Sequence, residues 1–357
     1  MTRAARLSCF GVLLFGVSVL LLSPAIRADG GAAHQTSNTN FGVSGGNIND
    51  TSKRFCCSGT LGSLVTDGTR NYILSNNHVL ARSDQAAVGE DISQPGLIDN
   101  GCRVPAIVAD FTVAPALGSN VDAAIAELRS GAMNTSGFIE DIGPPSSVVR
   151  APAVGLAVAK SGRTSGFTTG AIGSINASIS VQYQQRCGQG KKFNVPYTNQ
   201  VVINSSTFSA GGDSGSLIVS NDSCHQPVAL LFAGSSTTTI GNPISQVISR
   251  VGTALGTSVS FVGPACASVT GLVQSGQIEG PAPEAVHFAT QVMAGRERDL
   301  MSRAGVIGVG IGSVDASSAE AAIVIYVDQT LGITPRLPRS INGVRVKVVY
   351  TEPFIAY

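Results

Sequence analysis

Three residues of this chain could together turn a hydroxyl into a nucleophile: His78, Asp122 and Ser214. A serine hydroxyl attacks poorly alone. It needs a base to take its proton and a carboxylate to hold that base in one tautomer. The three residues occur in the order His, Asp, Ser, separated by 44 and 92 positions. His78 lies in Tyr72-Ile-Leu-Ser-Asn-Asn-His78-Val-Leu-Ala81, Asp122 in Asn120-Val-Asp122-Ala-Ala-Ile-Ala-Glu-Leu128, and Ser214 in Gly211-Gly-Asp-Ser214-Gly-Ser216. Glycines around Ser214 permit a tight loop whose backbone N–H groups converge. The other histidines are His34, His225 and His287, and only His78 follows a β-rich run and precedes Val-Leu-Ala. Asp110 and Asp99 compete with Asp122 for the role of the carboxylate.

These contexts resemble the chymotrypsin-like serine proteases, where the corresponding stretches read roughly TAAHC, DIALL and GDSGG. The resemblance spans roughly residues 55–262. It implies an all-β, double six-stranded β-barrel and hydrolysis of peptide bonds through an acyl-enzyme. Ser214 would be the nucleophile, His78 the base and Asp122 its orienting group. The N–H groups of Gly212 and Ser214 would form the oxyanion hole, without metal or cofactor. Protein or peptide is the expected partner. Two departures stand out: Ser216 replaces the second glycine of GDSGG, and Asn77 precedes His78 where Ala is usual. The resemblance puts Phe208 at the base of the primary substrate pocket and Phe232, Gly234 and Ser235 on its wall. Without an acid at Phe208, apolar or small side chains are expected rather than Lys or Arg. The Lys160–Gly166 stretch would border the cleft. Asp213 would pair with a freed N-terminus or an internal group. A silent binding protein on the same fold, or an esterase, are the alternative readings.

Short strands must position these groups. The 357 residues include 42 Gly and no Trp, a composition suited to strands joined by tight turns. The formal net charge of +1, with no basic run longer than Lys191-Lys192, points to no nucleic-acid surface. Residues 1–28 read as a cleaved signal peptide: Arg3 and Arg6 precede an apolar run that is short for a bilayer span. A secreted or periplasmic location, off the membrane, follows. Six further cysteines then suggest three disulfides. Proximity favours Cys56 or Cys57 with Cys102, and Cys187 with Cys224.

Residues 29–54 read as a flexible lead-in or propeptide. Two barrels would divide near residues 144–152, at Pro144-Pro145. Residues 263–283 read as a linker. Residues 284–357 read as a small α+β unit of one helix and three strands, able to fold alone or to pack on the barrels. Gly308-Val-Gly-Ile-Gly312 lacks the third glycine and the following helix of a nucleotide loop, so it reads as a closely packed strand.

Overall fold

The computed structural model describes residues 34–36, 38–267, 280–315 and 318–356. The expected signal peptide and much of the expected linker lie outside the described residues. Two largely antiparallel sheets of the expected double-barrel kind dominate. The first contains β1 (Val43–Asn47), β2 (Gly59–Leu61), β3 (Ser63–Thr66), β4 (Asn71–Ser75), β5 (Asp91–Gln94), β6 (Ala106–Val113) and β7 (Ala124–Leu128). A helical turn, α1 (Asn77–Leu80), follows β4. The second is built on β8 (Ala157–Gly162), β9 (Gly166–Ala171), β10 (Ser174–Arg186), β11 (Gln189–Asn204), β12 (Leu217–Ser220), β13 (Pro227–Gly234) and β14 (Thr238–Pro243). The helix expected after it is α2 (Ile244–Leu255), whose Ile244, Val247 and Val251 pack into the first barrel's core. A two-residue strand, β15 (Ser260–Phe261), then pairs with β3.

The expected flexible lead-in is in part a buried strand. Val43–Asn47 forms β1, pairs with β2 and β5, and is wholly buried. Its Val-Ser-Gly-Gly-Asn sequence has little apolar periodicity, so only its partner strands identify it. Gly45 fits because Leu61 sits where a Cβ would be, 2.4 Å away.

The C-terminal unit packs on the second barrel. It comprises α3 (Pro283–Ala294), α4 (Glu297–Met301), β16 (Val306–Ser313), β17 (Ala321–Asp328), β18 (Ser340–Ile341), β19 (Val344–Thr351) and β20 (Phe354–Ala356). The single expected helix is split at Gly295-Arg296. β16 pairs antiparallel with β10, extending the second sheet into the C-terminal unit. The glycines of β16 allow that approach: a Cβ at Gly312 would meet the Gly173 carbonyl oxygen at 2.5 Å. They serve strand packing, as the sequence suggested. Tyr326 and Phe354 complete one buried cluster with Phe232, Tyr183 and Tyr197 of the second barrel.

Three disulfides join Cys56 to Cys102, Cys57 to Cys187 and Cys224 to Cys266. The expected Cys187–Cys224 bond is wrong. Cys187 sits at the tip of the long β10–β11 hairpin, which reaches back to the first barrel. Among the described residues, no helix is long and apolar enough to cross a membrane.

Candidate active site

The first barrel supplies the imidazole and the carboxylate. β4 ends at Ser75, and α1 then presents His78 beside the residues preceding β7. His78 Nδ1 lies 2.6 Å from Asp122 Oδ2, and the His78 backbone N–H donates to Asp122 Oδ1 at 3.2 Å. Asp122 is fully buried, so its charge needs these donors. Its backbone is fixed as well: Asn76 Nδ2 donates to its carbonyl, and its N–H donates to Asn242 Oδ1. Asn77, the first departure, donates from Nδ2 to Asp84 Oδ1 and to the Pro115 carbonyl, and its Oδ1 accepts from Asp84 N–H. It anchors the histidine turn to the loops beside it.

The rival carboxylates are engaged elsewhere. Asp99 makes a two-pronged ion pair with Arg163, at 2.6 Å for each bond. Asp110 pairs with Arg129 on an exposed face.

Sequence reading missed Tyr183. Its hydroxyl donates to Asp122 Oδ2 at 2.8 Å, and it also bonds the Tyr197 hydroxyl at 2.7 Å. The Tyr183 ring stands edge-on to His78, with centroids 6.1 Å apart. Burial, and then the Asp122 charge, push the Tyr183 phenol well above its ordinary range, so it stays a donor. The alternation Val181-Gln-Tyr183 was the one available signal, because Tyr183 shares the buried face with Val181. A Tyr183→Phe variant should lower kcat about tenfold with little change in KM. It removes one hydrogen bond to a charged group from the carboxylate that orients His78. Steady-state kinetics on a peptide anilide checks this.

The second barrel supplies Ser214 on the turn before β12. Gly212 and Gly215 have φ of +97° and +96°, which disfavours other residues. Space forbids a side chain there too: a Cβ at Gly215 would meet the Thr60 carbonyl oxygen at 2.2 Å. The Asp213, Gly215 and Ser216 N–H groups bond Ala210, Leu231 and Asp213 carbonyls respectively. The Gly212 and Ser214 N–H groups have no acceptor among the described residues. Ser216, the second departure, closes this turn by donating its hydroxyl to the Asp213 carbonyl at 2.6 Å.

The loop is pinned to the first barrel. Thr60 N–H donates to the Ser214 carbonyl at 2.7 Å, and Thr60 Oγ1 donates to the Gly212 carbonyl at 3.0 Å. Gly59 lies between Ser214 and the histidine turn: a Cβ there would meet Val79 Cγ2 at 2.5 Å and the Ser214 carbonyl oxygen at 2.9 Å. The Ser214 hydroxyl donates to the Phe232 carbonyl at 3.2 Å, and the residue is fully buried.

Asp213 has an internal partner. Lys160 Nζ lies 3.2 Å from Asp213 Oδ2, and both side chains are fully buried. The Asp213 carboxylate also accepts from the N–H groups of Thr164, Ser165 and Ala210. Lys160 is therefore not a cleft-border residue but a strut beneath the Ser214 loop. Burial pushes its ammonium below the ordinary lysine range, opposed by the Asp213 charge.

A cleft opens in front of His78, lined by Asp50, Ser58, Tyr183 and the Cys57–Cys187 disulfide, with Ala356 at its edge. Burial raises the Asp50 carboxyl there to about 6, against the pull of His78 and Arg82. Phe208 departs from its expected place. It belongs to the second barrel's core with Val158, Ile203 and Ile218, and its ring blocks any Cβ at Gly170. Phe232 packs on Tyr197 with centroids 4.9 Å apart. Gly234 pairs with Ile355, and Ser235 Oγ bonds Thr351 Oγ1 at 2.6 Å. The expected pocket wall is thus in contact with the C-terminal unit.

Solved structures similar to this chain include a glutamic acid specific serine protease whose substrate binding uses a histidine triad. It is 20% identical with a TM-score of 0.44, over 62% of this chain and 98% of that one. Thermobifida fusca protease A is 17% identical with a TM-score of 0.42, over 64% of this chain and 100% of that one. The Nocardiopsis protease is 16% identical with a TM-score of 0.42, over 63% and 99%. No family model matches the chain, and no curated protein matches its sequence. These are likenesses of shape and assign this chain neither an activity nor a substrate.

Proposed function

We propose that this chain is a serine endopeptidase acting through an acyl-enzyme. The observation that carries the reading is the 2.6 Å pair of part-buried His78 with fully buried Asp122, across Gly59 from a serine on a glycine-shaped loop. Asp122 accepts a hydrogen bond from the His78 Nδ1–H, which selects the tautomer whose Nε2 carries the basic lone pair. In this reading the Ser214 hydroxyl exchanges its bond to the Phe232 carbonyl for one to the imidazole. Ser214 Oγ attacks the substrate carbonyl carbon as His78 takes its proton. The resulting oxyanion accepts from the N–H groups of Gly212 and Ser214, each donor being worth roughly 3–4 kcal/mol. His78 then returns the proton to the leaving amine. Water repeats the sequence on the acyl-enzyme and frees the product acid.

The Lys160–Asp213 pair supports a loop that forms without an N-terminal cut. Three disulfides support export to an oxidising compartment, either secretion or the periplasm. A peptide-library digest tests the reading. Cleavage by the parent chain should fall at least about 10⁴-fold in Ser214→Ala. Equal cleavage by both would dismiss it.

A further inference from the structure

We propose that β20 occupies the peptide track of this site in cis, so that the chain carries its own competitive ligand and hydrolysis requires β20 to leave. The proposal rests on the serine-hydrolase reading and adds its regulation. A peptide presented to Ser214 in extended form must pair its backbone with a strand edge beside that residue. The edge there is the end of β13, because the Phe232 carbonyl accepts the Ser214 hydroxyl. The next two residues, Ala233 and Gly234, are already paired antiparallel with Ala356 and Ile355. On its other side β20 runs parallel to β10, with Phe354 opposite Val181 and Ile355 opposite Gln182. The strand therefore fills the slot between β13 and β10. It runs from Gly234 toward Phe232, and Ala356 reaches the cleft that holds His78 and Tyr183.

Side chains show how the strand is held and what the track selects. Phe354 is fully buried, edge-on to Tyr326 with centroids 5.8 Å apart. Ile355 points outward and is 44% exposed. Thr351 Oγ1 bonds Ser235 Oγ, and Glu352 accepts from the Ser236 N–H at 3.3 Å. The track thus takes an extended segment with a buried aromatic followed by an outward residue and a small one. Attachment differs sharply along the unit. β19 pairs with β17 over the seven residues Arg345–Thr351, whereas β20 has three residues and follows the irregular Glu352-Pro353 link. The anchor can stay while the short strand peels away. A tethered strand acts at an effective concentration on the order of millimolar, enough to suppress a site of micromolar affinity strongly.

Two variants test this. Ile355→Pro removes an N–H from the ladder and leaves the buried Phe354 in place. A chain ending at Glu352 removes the strand. Both are compared with the parent for the rate of fluorophosphonate labelling and for kcat/KM on a peptide anilide. Each should rise about tenfold or more. The synthetic peptide Pro-Phe-Ile-Ala-Tyr should then inhibit the shortened chain competitively, raising KM at constant kcat. Should Ile355→Pro not fold, the shortened chain decides. Labelling of all three forms at one rate would overturn the proposal and leave the serine-hydrolase reading intact. Absence of labelling in every form would overturn that reading, and this proposal with it.

Discussion

Asp122→Asn is expected to lower kcat for peptide hydrolysis by about 10⁴-fold without unfolding the chain. Asp122 Oδ2 accepts from both His78 Nδ1 and the Tyr183 hydroxyl. An amide of the same shape fits the same space. Its NH₂ group cannot accept, however, and its single oxygen cannot serve the imidazole, the tyrosine and the His78 backbone N–H together. If the NH₂ faces His78, Nδ1 becomes the acceptor and Nε2 carries the proton. The imidazole is then in the wrong tautomer to take a proton from Ser214. Activity should recover partly at high pH, where hydroxide can replace the lost base function. Steady-state kinetics and unfolding curves on one preparation check the result. A loss below about tenfold would show that Asp122 does not orient the base.

Lys160→Met should destabilise the fold by about 3–5 kcal/mol, because it leaves the Asp213 carboxylate buried without its cation. Lys160 Nζ bonds Asp213, the Gly166 carbonyl and the Ser165 hydroxyl, all beneath the Ser214 loop. Three backbone N–H groups still reach Asp213, so the loop can persist with a weakened carboxylate site. Replacing both members, Lys160→Met with Asp213→Asn, removes the stranded charge. The double variant should therefore lose less stability than the sum of the singles. Urea unfolding of the four proteins measures this. A single-variant loss within about 0.5 kcal/mol would mean that the pair does not hold the loop.

The parts legible in the sequence were those encoded by neighbouring residues. Gly211-Gly-Asp-Ser-Gly declares a tight loop because its glycines flank the serine on both sides. His78 declares itself through the β-run before it and the short turn after it. Asp122 was harder, since Asp99 and Asp110 also sit near apolar strands. What separates them is pairing: Arg163 and Arg129 lie 64 and 19 residues away from their partners. Tyr183 was missed for the same reason. It reaches Asp122 only because a long hairpin folds across the junction of the barrels, where Cys57–Cys187 holds it. Lys160 looked like a cleft residue because sequence shows its charge and not its burial. The strand β1 hid behind glycines and polar residues that suit a flexible segment equally well. β20 is only three residues long, and its place between β10 and β13 depends on how the whole C-terminal unit docks.

Mass-spectrometric mapping of a fluorophosphonate adduct reads out whether Ser214 is an activated nucleophile. The parent chain and Ile355→Pro would be labelled side by side with their His78→Ala counterparts. A single adduct is expected on the Ser214 peptide, forming faster in Ile355→Pro and lost when His78 is replaced. An adduct on another serine, or labelling at Ser214 that is indifferent to His78, would contradict it.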